Sequence, residues 1–320
     1  MVDFVHPTVP SAMTAIFAQL EDRHCPVCSA APDQARLFLE ASYDAGRIGD
    51  FSFASRKSPE FMSYRLLRCE VCATVYAQAA PPASVLAAAY KAASYDSTEE
   101  ASLAADTYVH AMREVIAGLP QRGRALEIGT GTGVLLERLL DVGFAEVVGV
   151  EPSPAAIAAA SPRIRPHIRE GVFAEADFAD QEFDLICCFM TLEHVADPRP
   201  LTQACLRLLR PGGVLAFVTH DYSAPLNRML GRRSPIIDIE HLQIFCPASL
   251  VRLLTDAGFA DARTAPIINR YPLRYWARLT PLPGAIKPAA LHVLDALGLG
   301  GLCVSLPVGN TMSFGTRKSG

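Results

Sequence analysis

Three groups of residues carry types and spacings that could do chemistry. Glu240 and His241 stand side by side in IEHLQIF, between apolar residues. A carboxylate and an imidazole are costly to bury without partners, so the pair either satisfies itself in a turn or moves a proton. A second such pair, Glu193 with His194, lies in TLEHVADP. The second group is two C-x-x-C pairs, Cys25 with Cys28 in HCPVC and Cys69 with Cys72 in RCEVC. That spacing lets a tight turn aim two sulfurs at one ion, and two such turns complete a tetrahedral thiolate site. Zinc is the default metal there, because it does no redox chemistry and accepts four sulfurs. Four ligands leave no open position, so a structural zinc is expected, contributing on the order of 10 kcal/mol to folding. The alternatives are small buried hydrophobes or a redox pair, although neither pair opens a helix after a strand.

The third group is the run GRALEIGTGTGVLLERLL, Gly123 to Leu140. It reads as strand, glycine turn and amphipathic helix, with Glu127 two residues before Gly129, Gly131 and Gly133. Glycines there let the backbone turn sharply and let a ligand approach the main chain. The helix start behind them offers unpaired N–H groups. AEVVGVEPSPAAI follows, a strand ending at Glu151 and then a helix with Pro near its start. An acid at the end of a second strand commonly accepts hydrogen bonds from a ribose diol. A lone G-x-G is weak, because nicotinamide folds use it too. Here the last glycine of G-x-G-x-x-G would fall on Val134 or Leu136, and neither is Gly.

These groups need a fold to position them. The chain has 320 residues, 50% hydrophobic and 19% charged, enough for roughly two domains. A net charge of -4 argues against a nucleic-acid-coating surface. The start, MVDFVHPTVPSAM, lacks a basic region leading into an apolar run, so no signal peptide is expected. Apolar stretches are broken before the ~20 residues of a membrane span. Cysteines inside core-like runs such as ICCFM suit reduced thiols, so the reading is cytoplasmic. YRLLR and ATVYA alternate like strands of a hairpin around the second cysteine pair. CPASLVRLLTDAGF reads as a helix with Pro247 near its start and Gly258 as its stop.

LEIGTGTG resembles motif I of the class I S-adenosylmethionine-dependent methyltransferases. FDLICCFMTLEHVADP resembles that family's fourth strand and its loop, and CLRLLRPGGVLAFVT its fifth strand. The resemblance spans about residues 90–265. It implies an α/β, Rossmann-like, doubly wound sheet of seven strands, with a ligand beyond the carboxyl ends of the strands. The final strand of that fold is antiparallel, and NTMSFGTRK, Asn310 to Lys318, fits it. The division expected is a small zinc-ribbon-like domain over residues 1–86 and a methyltransferase domain over 87–320. Residues 266–309 form an excursion before the last strand, either capping the pocket or packing beside the sheet.

Carried over residue by residue, the resemblance puts the cofactor's amino and carboxylate groups on Glu127 and the glycine backbone, and its ribose on Glu151. Many relatives carry an acid for adenine just after the glycine matching Gly171; this chain has Val172 and Phe173 there. Adenine is then held by backbone contacts and stacking, with Asp177 a poorer substitute. Phe189 and Met190 either line the cofactor's sulfur side or pack in the core. IEHLQIF resembles a stretch of sugar and natural-product methyltransferases. A subset of these, deoxysugar C-methyltransferases, carries an amino-terminal four-cysteine zinc region. In that subset the His matching His241 is the proposed general base beside Glu240. The His matching His194 faces the site, and tyrosines matching Tyr90 and Tyr95 sit over it. His6, His24, His110, His167, His220 and His292 have no comparable context.

The function implied is methyl transfer from S-adenosylmethionine to carbon or oxygen of a small molecule, a nucleotide-linked sugar or secondary metabolite. The rivals are an RNA methyltransferase, which predicts basic clusters, and a non-catalytic cofactor-binding partner. FMTL replaces the Asn-Pro-Pro-Tyr-like tetrad of amino-directed base methylation.

Overall fold

The computed structural model describes residues 19–44, 48, 52–53, 59–94, 98–280 and 286–319. His6 and Tyr95, named above, lie outside the described residues. Five short strands come first: β1 (Glu21–Asp22), β2 (Ala35–Leu39), β3 (Leu66–Cys69), β4 (Val75–Ala77) and β5 (Ala79–Ala80). β3 and β4 are the hairpin expected from YRLLR and ATVYA, and β2 pairs antiparallel with β3. Helices α1 (Ala83–Ala92) and α2 (Thr98–Gly118) lead out of this ribbon.

Strand and helix then alternate: β6 (Arg124–Ile128), α3 (Val134–Asp141), β7 (Glu146–Glu151), α4 (Pro154–Ala159), β8 (Ile168–Glu170), β9 (Phe183–Phe189), α5 (Pro198–Leu208) and β10 (Leu209–His220). The helix starts are written locally. Ser153 caps α4 and Asp197 caps α5, each followed by Pro at the first helical position. Beyond β10 come α6 (Pro225–Leu230), β11 (Gln243–Ile244), α7 (Pro247–Ala257), β12 (Ala260–Pro272), α8 (Leu273–Leu279), α9 (Ile286–Ala296) and β13 (Cys303–Thr316). Helix α7 starts on Pro247 and stops at Gly258, whose φ of 101° suits glycine.

Seven strands form one sheet in the order β12-β13-β10-β9-β6-β7-β8. β8, β7, β6, β9 and β10 are mutually parallel, whereas β13 runs antiparallel to β10 with Thr311 opposite Thr219. All seven residues of β9, FDLICCF, are buried, as a parallel strand covered on both faces requires. On one face Met112, Leu136 and Trp276 pack against Leu185, Ala216 and Met312. On the other, Leu201, Leu208, Leu250 and Leu254 pack against Ile186 and Phe217.

Two features differ from the local reading. The ribbon is continuous with the rest of the protein: Cys25, Val27, Cys69 and Tyr76 belong to the same buried cluster as Ile186 and Leu250. Its sheet, in the order β11-β4-β3-β2, also takes its outer strand from the IEHLQIF segment. Strands β12 and β13 extend into the segment 266–309, so only residues 273–302 stand between them. The alternate burial of Ile267, Asn269 and Tyr271 explains the longer strand. No helix among the described residues is long and apolar enough to cross a membrane.

Candidate functional site

A cavity of about 890 Å³ lies at the carboxyl ends of β6, β7, β9 and β10, marked by Ile128, Glu151, Phe189 and His220. The strand order reverses between β6 and β9, so this is the switch point where open α/β sheets bind ligands.

One half is the glycine turn. Gly129, Gly131 and Gly133 have φ of 74°, 57° and 72°, a region side chains disfavour. Their surroundings differ. A Cβ on Gly129 would collide with the Thr191 side chain, and one on Gly133 with Ile164. A Cβ on Gly131 would have nothing within 4 Å. Gly129 and Gly131 line the cavity and Gly133 does not, so Gly133 serves the packing of the turn and Gly131 faces the open space. Glu127 lines the cavity and accepts a hydrogen bond from the Thr130 hydroxyl. Glu151 accepts from the Gly131 N–H at 2.7 Å and the Ser153 N–H at 2.9 Å. A carboxylate has about four lone-pair sites, so acceptor capacity toward a diol remains. Burial pushes the Glu151 carboxyl up, and those two N–H donors pull it back down.

Val172 and Phe173 line the cavity, with Phe173 stacked on Phe178 at 6.1 Å between centroids. Phe173 thus offers a braced aromatic face. Asp177 does not line the cavity; Glu175 does, and it is paired with Arg207. Phe189 and Met190 line the cavity too, and Phe189 packs edge-on to Tyr108 at 5.1 Å, so lining and core packing coexist. Met190 has φ of 52°, a strained conformation of the kind that clusters at functional sites.

The other half is a group of histidines. The His194 and His241 rings lie 4.9 Å apart, and those of His220 and His241 5.3 Å apart. All three line the cavity, as does Glu240. His241 Nδ1 donates to the Ile236 carbonyl at 2.9 Å, and His194 Nδ1 to the Glu240 carbonyl at 3.1 Å. His220 Nδ1 bonds Asn310 Oδ1 at 2.9 Å. A carbonyl can only accept, so the Nδ1 proton of His194 and His241 is fixed and Nε2 is the basic nitrogen of the neutral ring. Glu240 Oε1 lies 3.8 Å from His241 Nε2, placed to stabilise that ring once it takes a proton. Tyr90 packs edge-on to His194 at 5.7 Å, and its hydroxyl donates to the Glu240 carbonyl.

His220 is the residue that local context did not mark. The available signal was its place as the last residue of a central strand, where this fold puts ligand-facing groups. Tyr271, Tyr275 and Trp276 line the cavity from the end of β12 and from α8, and the same three residues pack beside the sheet. Behind the histidines, Glu193 is fully buried. One of its oxygens accepts from the His220 N–H at 2.7 Å, and the other has no partner among the described residues. Burial first, and Glu240 next among the groups raising it, push the Glu193 carboxyl up to about 8.

The four cysteine sulfurs lie within 4.8 Å of one another, with Cys25 and Cys72 3.4 Å apart and Cys28 and Cys69 3.6 Å apart. Tetrahedral zinc with 2.3 Å bonds sets sulfurs about 3.8 Å apart, so the cluster fits a four-thiolate ion. The two turns are copies of one another. Ser29 N–H bonds the Cys25 carbonyl and Ala73 N–H the Cys69 carbonyl, at 2.9 and 3.0 Å. Ser29 and Ala73 both take positive φ, 59° and 63°.

Residues 99–263 match the family described as a methyltransferase domain, Methyltransf_23, and the chain belongs to that family. It is an S-adenosylmethionine-dependent methyltransferase. It is similar to proteins named ubiquinone biosynthesis O-methyltransferase. That of Aromatoleum aromaticum is 34% identical over 164 residues, 46% of this chain and 67% of the relative. That of Leptothrix cholodnii is 30% identical over 170 residues, 48% and 71% of the two chains. That of Methylococcus capsulatus is 34% identical over 189 residues, 52% and 78% of the two chains. The cofactor of this family fits the cavity: Gly131 leaves open space and Glu151 keeps acceptor sites at the second strand's end.

Proposed function

We propose that this protein methylates a hydroxyl or an acidic carbon of a small organic acceptor, with His241 as general base. The carrying observation is that one cavity runs from the glycine turn to the His194–His241 pair. S-adenosylmethionine, when bound, supplies a methyl group already activated on a sulfonium sulfur. Glu127 and the Gly129–Gly131 backbone would hold the amino-acid end of that cofactor. Glu151 would hold the ribose, and Phe173, beside Val172, the adenine face. Six carboxylates line the cavity, namely Glu127, Glu151, Glu175, Asp197, Asp238 and Glu240, a field that favours a cation.

The acceptor hydroxyl or carbon must lose a proton. A neutral imidazole suits that task near neutral pH. His241 presents Nε2 as its basic nitrogen, and Glu240 stabilises the charged ring. His194, oriented by the Glu240 carbonyl, closes the same side. Tyr271, Tyr275 and Trp276 exclude water and give a flat acceptor a face to lie on. No Arg or Lys among the described residues lines the cavity. A diphosphate therefore has no described counter-charge there, which favours a secondary metabolite over a nucleotide-linked sugar. The O-methyltransferase names of the similar proteins favour a hydroxyl. The four cysteines would hold one structural zinc, since no ligand position is left for a substrate.

The test measures S-adenosylhomocysteine release against phenols, catechols and nucleotide-linked sugars, below each acceptor's own pKa. His241→Ala is expected to lower turnover by ~10²-fold or more with cofactor affinity unchanged. Glu240→Gln is expected to lower it less and to shift the pH profile. Near-normal turnover of H241A would end the assignment of the base.

A further inference from the structure

One side chain of the ribbon, Arg23, ties together the two loops that carry His194 and His241. His194 lies on the loop Leu192–Ala196 after β9, and His241 on the segment Ile239–Gln243 that ends in β11. Their rings stand 4.9 Å apart only if these two segments keep their mutual position. The backbone joins them at one carbonyl, that of Glu193, which accepts from Leu242 N–H at 2.9 Å and from Gln243 N–H at 3.4 Å. Gln243, fully buried, donates its amide to the carbonyls of Leu192 and Val195 at 2.7 and 2.8 Å.

Arg23 closes the arrangement from the ribbon side. Its Nη2 donates to the Ala196 carbonyl at 2.7 Å, on the His194 loop, and to Gln243 Oε1 at 2.9 Å. Its Nη1 donates to the Leu242 carbonyl at 3.2 Å, the residue after His241. Arg23 is itself anchored, since its backbone N–H bonds the Gln78 carbonyl at 2.9 Å beside the β1–β5 pair. The Leu242 carbonyl also accepts from Ala77 N–H at 2.8 Å, so the same peptide is held by the ribbon twice. A planar guanidinium forks across two loops in a way a single ammonium cannot.

We infer that Arg23 is a positioning residue, which fixes the spacing of His194 and His241 and so makes the ribbon part of the proton-transfer machinery. This rests on His241 being the base. The inference explains why a segment ahead of the methyltransferase sheet lends a strand partner to β11. It also explains why the arginine stands two residues before the first cysteine turn, where a rigid ribbon can hold it. A misplacement of ~1 Å at reacting groups costs about 10²-fold in rate, and loss of Arg23 removes three of the bonds that prevent it.

The experiment compares wild type with Arg23→Met and Arg23→Lys. NMR titration of the histidine ring carbons is read beside kcat and KM. In R23M the resonances and midpoints of His194 and His241 should shift or broaden. Those of His220 should shift less, because it sits on β10 and its ring is held by Asn310. kcat should fall roughly 10-fold or more while KM for S-adenosylmethionine and S-adenosylhomocysteine affinity stay within twofold of wild type. R23K keeps the charge but not the fork, and should lie between the two. If R23M does not fold, R23K carries the same readings. Unchanged His194 and His241 titrations with unchanged kcat, or equal shifts in all three histidines, would overturn the inference. The ring titrations report loop geometry whether or not His241 is the base, so failure of the base assignment appears separately, as normal turnover in H241A.

Discussion

Glu193 should make the protein's stability depend on pH in a defined direction. Its carboxyl is fully buried, with one oxygen accepting from His220 N–H and the other unpartnered among the described residues. Burial raises it to about 8, against about 4.3 for an exposed glutamate in an unfolded chain. Below that unfolded value both states hold the proton and its contribution to stability is complete. Between about 4.3 and 8 the unfolded chain has released the proton and the folded protein has not, so rising pH favours unfolding. Each unit is worth about 1.4 kcal/mol, and the interval therefore removes up to about 5 kcal/mol. Glu193→Gln keeps an acceptor for the His220 N–H and cannot ionise. Urea unfolding of both proteins at several values from pH 5 to 8.5 should show wild type losing stability relative to E193Q, by several kcal/mol in total. Parallel curves for the two proteins would refute the reasoning and mean that Glu193 is charged and satisfied in the fold.

The glycine turn and the cysteines give further tests. Gly131→Ala should fold, with strain of roughly 1–2 kcal/mol from its positive φ, and should lose at least tenfold in S-adenosylhomocysteine affinity by calorimetry. Gly133→Ala should instead lower the melting temperature, because its Cβ would meet Ile164 in a packed interior. Elemental analysis should find one zinc per chain, and Cys69→Ser should destabilise the fold; loss of turnover at full stability would make the metal catalytic instead.

What the sequence showed depended on how local each feature is. Cys25 and Cys28, or Gly129 and Gly131, are close in the chain, so their spacing alone sets their geometry. Glu151 was readable because a strand end is readable. His220 was not, because its meeting with His241 depends on β10 and the 239–243 segment being folded side by side. The pairing of β11 with β4 joins residues almost 170 positions apart, and nothing in QIF announces a partner in VYA. Gly133 belongs to the same glycine motif, yet packs against Ile164, a residue 31 positions away that only the fold brings there. The aromatic wall of Tyr271, Tyr275 and Trp276 was visible as composition and only the fold turns it inward.

Titration calorimetry of S-adenosylhomocysteine into the wild-type protein and Glu151→Ala decides whether the cavity at the glycine turn is the cofactor site. Wild type should show one site per chain, and E151A an affinity at least tenfold weaker with the fold intact. No heat with S-adenosylhomocysteine, alongside clear binding of a nicotinamide dinucleotide, would contradict it.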